Sequence, residues 1–124
     1  MSNTVSEILL RFDNFNDSVL EDISISYARG PRPDIQIVLN CQDDLNPQTT
    51  RRQCFVNFQD VEEFKLEQRL KTSSIVVSFG IAVIMEAGLT YVDFACDGFL
   101  DRTIQEVRAG GFYIGARKVD FTLP

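Results

Sequence analysis

The chain has no histidine and no tryptophan among its 124 residues. Without histidine, the commonest general base and the commonest metal ligand are both gone, and so is every Ser-His-Asp or Cys-His arrangement. Any catalysis would have to run on carboxylates, cysteine, tyrosine, lysine or arginine. Basic runs are also missing: the longest are Arg51-Arg52 and Arg117-Lys118, within a net charge of −6. Nucleic-acid binding needs a positive footprint to displace counterions from phosphates, so this composition argues against it. Long apolar runs are absent too. The longest, Ile75 to Met85, is half of what a membrane-spanning helix requires. "MSNTVSEILL" lacks the basic start and apolar stretch of a secretory signal, so the expected location is the cytoplasm.

Three cysteines, Cys41, Cys54 and Cys96, make an odd count without close spacing. That pattern fits a reducing compartment, not a disulfide framework. Each shares the apolar parity of its segment, so each reads as a small core residue. A reactive Cys54 would need activation by Arg51 or Arg52.

What is present is an ordinary globular composition, 44% apolar and 24% charged. Ten Phe and three Tyr supply bulky core material. The length suits one domain over residues 1–124, able to bury roughly 65% of the surface of its unfolded form.

Two-residue alternation dominates the chain, the mark of half-buried strands. Ile23, Ile25 and Tyr27 alternate with Asp22, Ser24 and Ser26. "ARGPRPD" breaks that strand, and Ile35, Ile37, Leu39 and Cys41 begin the next, giving a hairpin. Cys54, Val56 and Phe58 mark a third. Residues 60–71 fit either period, with a strand preferred. Residues 75–87 form the strongest strand; apolar on both faces, it belongs in the middle of a sheet or under a helix. Val92, Phe94 and Cys96 alternate in a further strand.

Residues 100–109 admit two readings: a helix capped by Asp101 and stopped by Gly110, or a strand turning at Gly110-Gly111. The alternation from Phe112 to Leu123 shifts register near Arg117-Lys118, as a bulge or a bend would cause. The expected fold is mainly β: an antiparallel sandwich or partly open barrel of six to eight strands with at most one or two short helices.

Candidate sites are few. Asp13 with Asp17, and Asp43 with Asp44, read more simply as turn and loop residues than as an acid–base pair. Asp93, Asp97 and Asp101 are too widely spaced for a calcium loop, and "GGFYIG" lacks the context of a phosphate cradle. No metal or cofactor is expected. Asn14, Asn16, Asp17 and Ser18 set a turn, and Phe12 and Phe15 anchor it to the core.

"NFNDSVLEDISISY", "DIQIVLNC" and "CFVNFQDVEEFKL" together resemble a group of small bacterial domains that open on a Phe-His-Asp-Ser/Ala turn. Some of these are immunity-type proteins of toxin systems. The resemblance covers roughly the first half of the chain, and Asn16 stands where that group often has His. It implies a β-rich cytoplasmic domain that acts by binding.

The expectation is therefore a non-catalytic binding module. Asp43, Asp44, Asp60, Glu62 and Glu63 are the candidate acidic face for a basic protein partner such as a toxin domain. The alternative is a small-molecule binder, with Tyr27, Arg29 and Arg32 at the mouth of an apolar cavity. Pairing of a sheet edge with its own copy is a further possibility.

Overall fold

A computed structural model describes residues 7, 9, 12, 15, 18–42, 51–67, 76–77, 81–95 and 103–123. Where residues alternate in polarity, they form strands. These are β1 (Ser18–Ser26), β2 (Asp34–Gln42), β3 (Arg51–Leu66), β4 (Val76–Val77), β5 (Ala82–Glu86), β6 (Leu89–Asp93) and β7 (Phe112–Thr122). They make one antiparallel sheet in the order β4-β1-β2-β3-β7-β6-β5. The mainly β class and the strand number follow the alternation.

Curvature follows from connectivity. β4 and β5 are the outermost strands, six sheet positions apart. In a flat sheet they would lie about 29 Å from each other. The chain from Val77 to Ala82 can span at most about 18 Å. The sheet therefore curls toward itself as a partly open barrel, with one short stretch of chain tying its two edges. Residues 75–87, expected as a single strand, are instead divided: β4 pairs with β1 and β5 with β6. On β5 both faces carry apolar residues because Val83 packs on the core and Ile84 on the Tyr91–Tyr113 layer outside it.

The concave side is the core. Ile35, Ile37 and Leu39 of β2 meet Phe58, Val56 and Cys54 of β3, and Phe121, Ala116, Ile114 and Phe112 of β7 complete the wall. Cys41 and Cys54 are buried there outside any disulfide, as their parity predicts. Phe12 and Phe15 fill the interior from the N-terminal side. Their rings stack at 5.4 Å, and Phe15 stacks on Phe121 at 5.7 Å. Burial of each ring contributes about 1.5–3 kcal/mol. Asn14, Asn16 and Asp17 lie outside the described residues.

Two irregularities shape β3. Asp60 has φ 54°, and around it both β3 and β7 change the face they turn inward, from Phe58 to Val61 and from Val119 to Ala116. This is the register shift expected near Arg117-Lys118. A bulge then follows: Val61 pairs with Ala116 and Glu63 with Gly115, leaving Glu62 as the extra residue. Of residues 60–71, those from 60 to 66 are strand, as preferred, and 68–71 lie outside the described residues.

Residues 104–109 take the helical alternative. α1 (Ile104–Ala109) is capped by Thr103 in a reciprocal box with Glu106, and it stops at Gly110. Asp101, the expected cap, lies outside the described residues. α1 packs on the outside of the barrel, where Val107 joins Tyr91 and Tyr113. Gly115 makes room for this layer: a β-carbon there would lie 2.5 Å from Tyr91 Cε1.

Replacing Gly115 with alanine should overpack this contact and cost about 1–3 kcal/mol. Urea unfolding measures it; a midpoint equal to wild type would show that the Tyr91 ring is not held against Gly115.

Candidate functional site

The outward side of β1, β2, β3 and β7 is where the sequence places side chains for which the core has no use. On β3, Gln53, Phe55 and Asn57 alternate with the buried Cys54, Val56 and Phe58. Register then sets Ser24, Gln36, Asn57 and Asp120 in one row across four strands. The row is tied together. Gln36 Nε2 donates to Asn57 Oδ1 at 2.9 Å. Asn57 Nδ2 donates to Asp120 Oδ1 at 2.9 Å and to Thr122 Oγ1 at 3.2 Å. Beside it runs a second row, Asp22, Val38, Phe55 and Thr122, with Val38 and Phe55 half-buried.

A break in the β1 register between Leu20 and Asp22 makes Glu21 an extra residue. Glu21 accepts a hydrogen bond from Gln53 Nε2 at 2.9 Å, and Asp22 accepts one from Ser24 Oγ at 2.9 Å. Glu21, Asp22 and Asp120 are thus fixed by neutral amides and hydroxyls, which leave their negative charge uncompensated. A depression of about 460 Å³ opens on this face, lined by Ser24, Asp34, Gln36, Asn57, Gln59 and Asp120 among others. An aromatic ring flanked by held carboxylates is chemically suited to a cationic side chain with an apolar stem.

The sequence-predicted acidic residues are placed differently. Asp43 and Asp44 lie outside the described residues. Asp60, Glu62 and Glu63 sit together at the bend and bulge of β3. Asp60 N–H donates to Asp34 Oδ1 at 3.2 Å. Glu62 accepts from Arg117 Nε at 2.6 Å, and Glu63 is held by Arg108. Arginines of the same chain therefore offset both glutamates. Arg29 turns to Asp34 at 3.5 Å. Tyr27 and Arg32 line a second open depression, about 430 Å³, with Pro31, Pro33, Glu62, Glu63 and Phe64. The fold thus brings Tyr27 and Arg32 of one expected set beside Glu62 and Glu63 of the other. Glu21, Asp22, Phe55 and Asp120 were missed. Parity alone held a signal, because Phe55 is out of step with Cys54, Val56 and Phe58.

Glu63 belongs to a cluster that fastens α1 to the sheet. Arg108 donates to both of its carboxylate oxygens, at 2.8 and 3.1 Å. Tyr113 O–H donates to Glu63 Oε1 at 3.1 Å, and Arg108 also reaches Tyr91 Oη at 3.3 Å. Lys65 Nζ donates to the Arg108 carbonyl at 2.8 Å. The Arg108 guanidinium, assisted by Tyr113, holds the Glu63 carboxyl below its usual value near 4.5, against the opposing effect of partial burial. Glu63 first, and Tyr91 second, hold the Arg108 guanidinium in its charged form. Burial first, and the Glu63 charge second, push the Tyr113 phenol up. The cluster is an anchor between α1, β3, β6 and β7. Arg51 donates to Asn40 on the outer side, away from the buried Cys54 thiol.

No family model, curated protein or solved structure matches the chain. Among the described residues, no group of three or more acidic or cysteine side chains could hold a metal ion. Among them too, no helix is long and apolar enough to cross a membrane.

Because the Glu63 carboxyl is depressed in the folded state, its stabilisation is present above about pH 4.5 and is lost as pH falls through the lowered value. Glu63→Gln should therefore be less stable than wild type near neutral pH, with the gap closing as the pH falls through the lowered value. Urea midpoints across that range check this; a gap independent of pH would mean that packing, not charge, sets the effect.

Proposed function

We propose that the chain is a non-catalytic binding module that takes a basic protein surface on the outer face of β1, β2, β3 and β7. One observation carries this reading: a half-buried aromatic, Phe55, stands among three carboxylates, Glu21, Asp22 and Asp120, whose hydrogen-bond partners are all neutral. An apolar centre with a polar rim is the anatomy of a protein-binding patch. Side chains already tied into rows lose less freedom when a partner arrives. The net charge of −6 adds long-range steering toward a cationic partner.

The resemblance to immunity-type bacterial domains makes a basic toxin domain the concrete partner. Buried thiols at Cys41 and Cys54, neither in a disulfide, support a cytoplasmic setting. A second reading rests on the Tyr27–Arg32 depression. There an exposed ring, an arginine and two prolines could take a small anionic ligand.

Immobilised wild type should retain a basic protein from its own cell lysate at low salt and less of it at moderate salt. Phe55→Ala should weaken retention roughly tenfold or more. The double variant Asp22→Asn, Asp120→Asn should lose most of the salt dependence. Equal retention by all three proteins, or by none, would remove the reading.

A further inference from the structure

β3 is longer than the partner on one of its sides. It pairs with β7 from Phe55 to Leu66, but β2 covers it only from Arg51 to Phe58. The Val61 N–H is taken by the Pro33 carbonyl at 3.0 Å. Beyond it, no strand among the described residues lies on that side. The Glu67 N–H donates to the Gly111 carbonyl at 2.8 Å, which makes that pair of the hydrogen-bonded type. Alternation along an antiparallel ladder then turns the backbone groups of Lys65 and Glu63 toward β7. Phe64 and Leu66 direct their N–H and C=O groups outward, and their side chains are 41% and 47% exposed. An edge with open backbone groups and apolar side chains is a template for another strand.

We propose that this edge pairs with the same edge of a second copy, antiparallel and centred on Phe64. The charge pattern selects both the occupant and the register. Strand addition must join residues whose backbone groups point outward, which restricts a two-fold pairing to a few alignments. Centring on Lys65 opposes two lysines, and centring on Glu63 opposes two glutamates; like charges directly opposite are destabilising. Centring on Phe64 sets Glu63 against Lys65 of the second copy, twice by symmetry, and brings the two Phe64 rings together. A lysine usually guards an edge because pairing would bury it without a counter-charge. In this register the Glu63 carboxylate of the second copy faces it, shared with the Arg108 that already bridges that carboxylate. Leu66 of the second copy falls opposite Glu62, which lines the depression that also holds Tyr27, Arg32 and Pro33. The contact is isologous and closed, so it stops at a dimer. It lies on an edge and not on the outer sheet face, and it stands independently of the partner proposed above.

The test combines oligomeric state with site-directed cross-linking. Sedimentation of wild type should show a concentration-dependent dimer, and Lys65→Glu should shift its midpoint at least tenfold toward monomer. A circular dichroism melt of this variant checks that it remains folded. Under mild oxidation Phe64→Cys should cross-link to itself, since facing α-carbons in a hydrogen-bonded pair lie about 5.5 Å apart, within disulfide reach. Leu66→Cys should not, because the two copies of that position would be about 14 Å apart. Wild type and Met85→Cys, an exposed position on β5, control for native thiols and chance collision. A wild type that stays monomeric at about 0.1 mM with no Phe64→Cys product overturns the proposal. So does cross-linking at position 66 or 85 as strong as at 64.

Discussion

The tie between the two edges of the sheet is the constraint on which the rest depends. A few residues join β4, on one side of seven strands, to β5 on the other, and a flat sheet cannot satisfy that distance. Curvature gives the sheet a concave side deep enough to hold the phenylalanines. Phe12, Phe15, Phe58 and Phe121 are each 1% exposed or less, a degree of burial that an open sheet with one bare face would not provide. Curvature also creates an outside, and the outside divides into two regions. One is roofed by α1. The other is polar and open.

The roofed region shows how a helix of six residues is kept in place. Its own hydrogen bonds would not sustain it in isolation. The reciprocal Thr103–Glu106 cap secures one end, and Val107 buries against Tyr91 and Tyr113. Arg108 grips Glu63 on the bulged strand. Each contact needs the others. The tyrosines are in position because Gly115 leaves space, and Glu63 faces them because the extra residue Glu62 reverses the parity of β3. A bulge that looks like a defect in the ladder therefore orients the anchor. It also leaves Phe64 and Leu66 on an edge that β2 does not reach.

The strands of β1, β2 and the first half of β3 were legible because a half-buried ribbon needs one apolar residue in two, and Ile23, Ile35, Ile37, Cys54 and Val56 keep that rhythm. The turn at Phe12 and Phe15 was legible as an anchor for the same reason: such rings have no favourable place in water. The split of residues 75–87 was not legible. Continuous apolar character says that both faces are covered and does not say by which neighbours. Thr103 and Asp101 can both cap a helix, and only the position of the helix start distinguishes them. Among the acids, sequence grouping pointed to Glu62 and Glu63, yet their neutralising arginines come from 45 or more positions away.

By itself the sequence determined that the chain is β-rich, acidic, without histidine, and able to bury its thiols. These properties reside in residue type and local period, which every conformation shares. Only the tertiary structure decided which carboxylates meet an arginine, which aromatic faces outward, and which stretch of strand is left without a neighbour among the described residues. Charge compensation, ring exposure and edge coverage all depend on residues distant in the chain, and register and curvature alone bring those together.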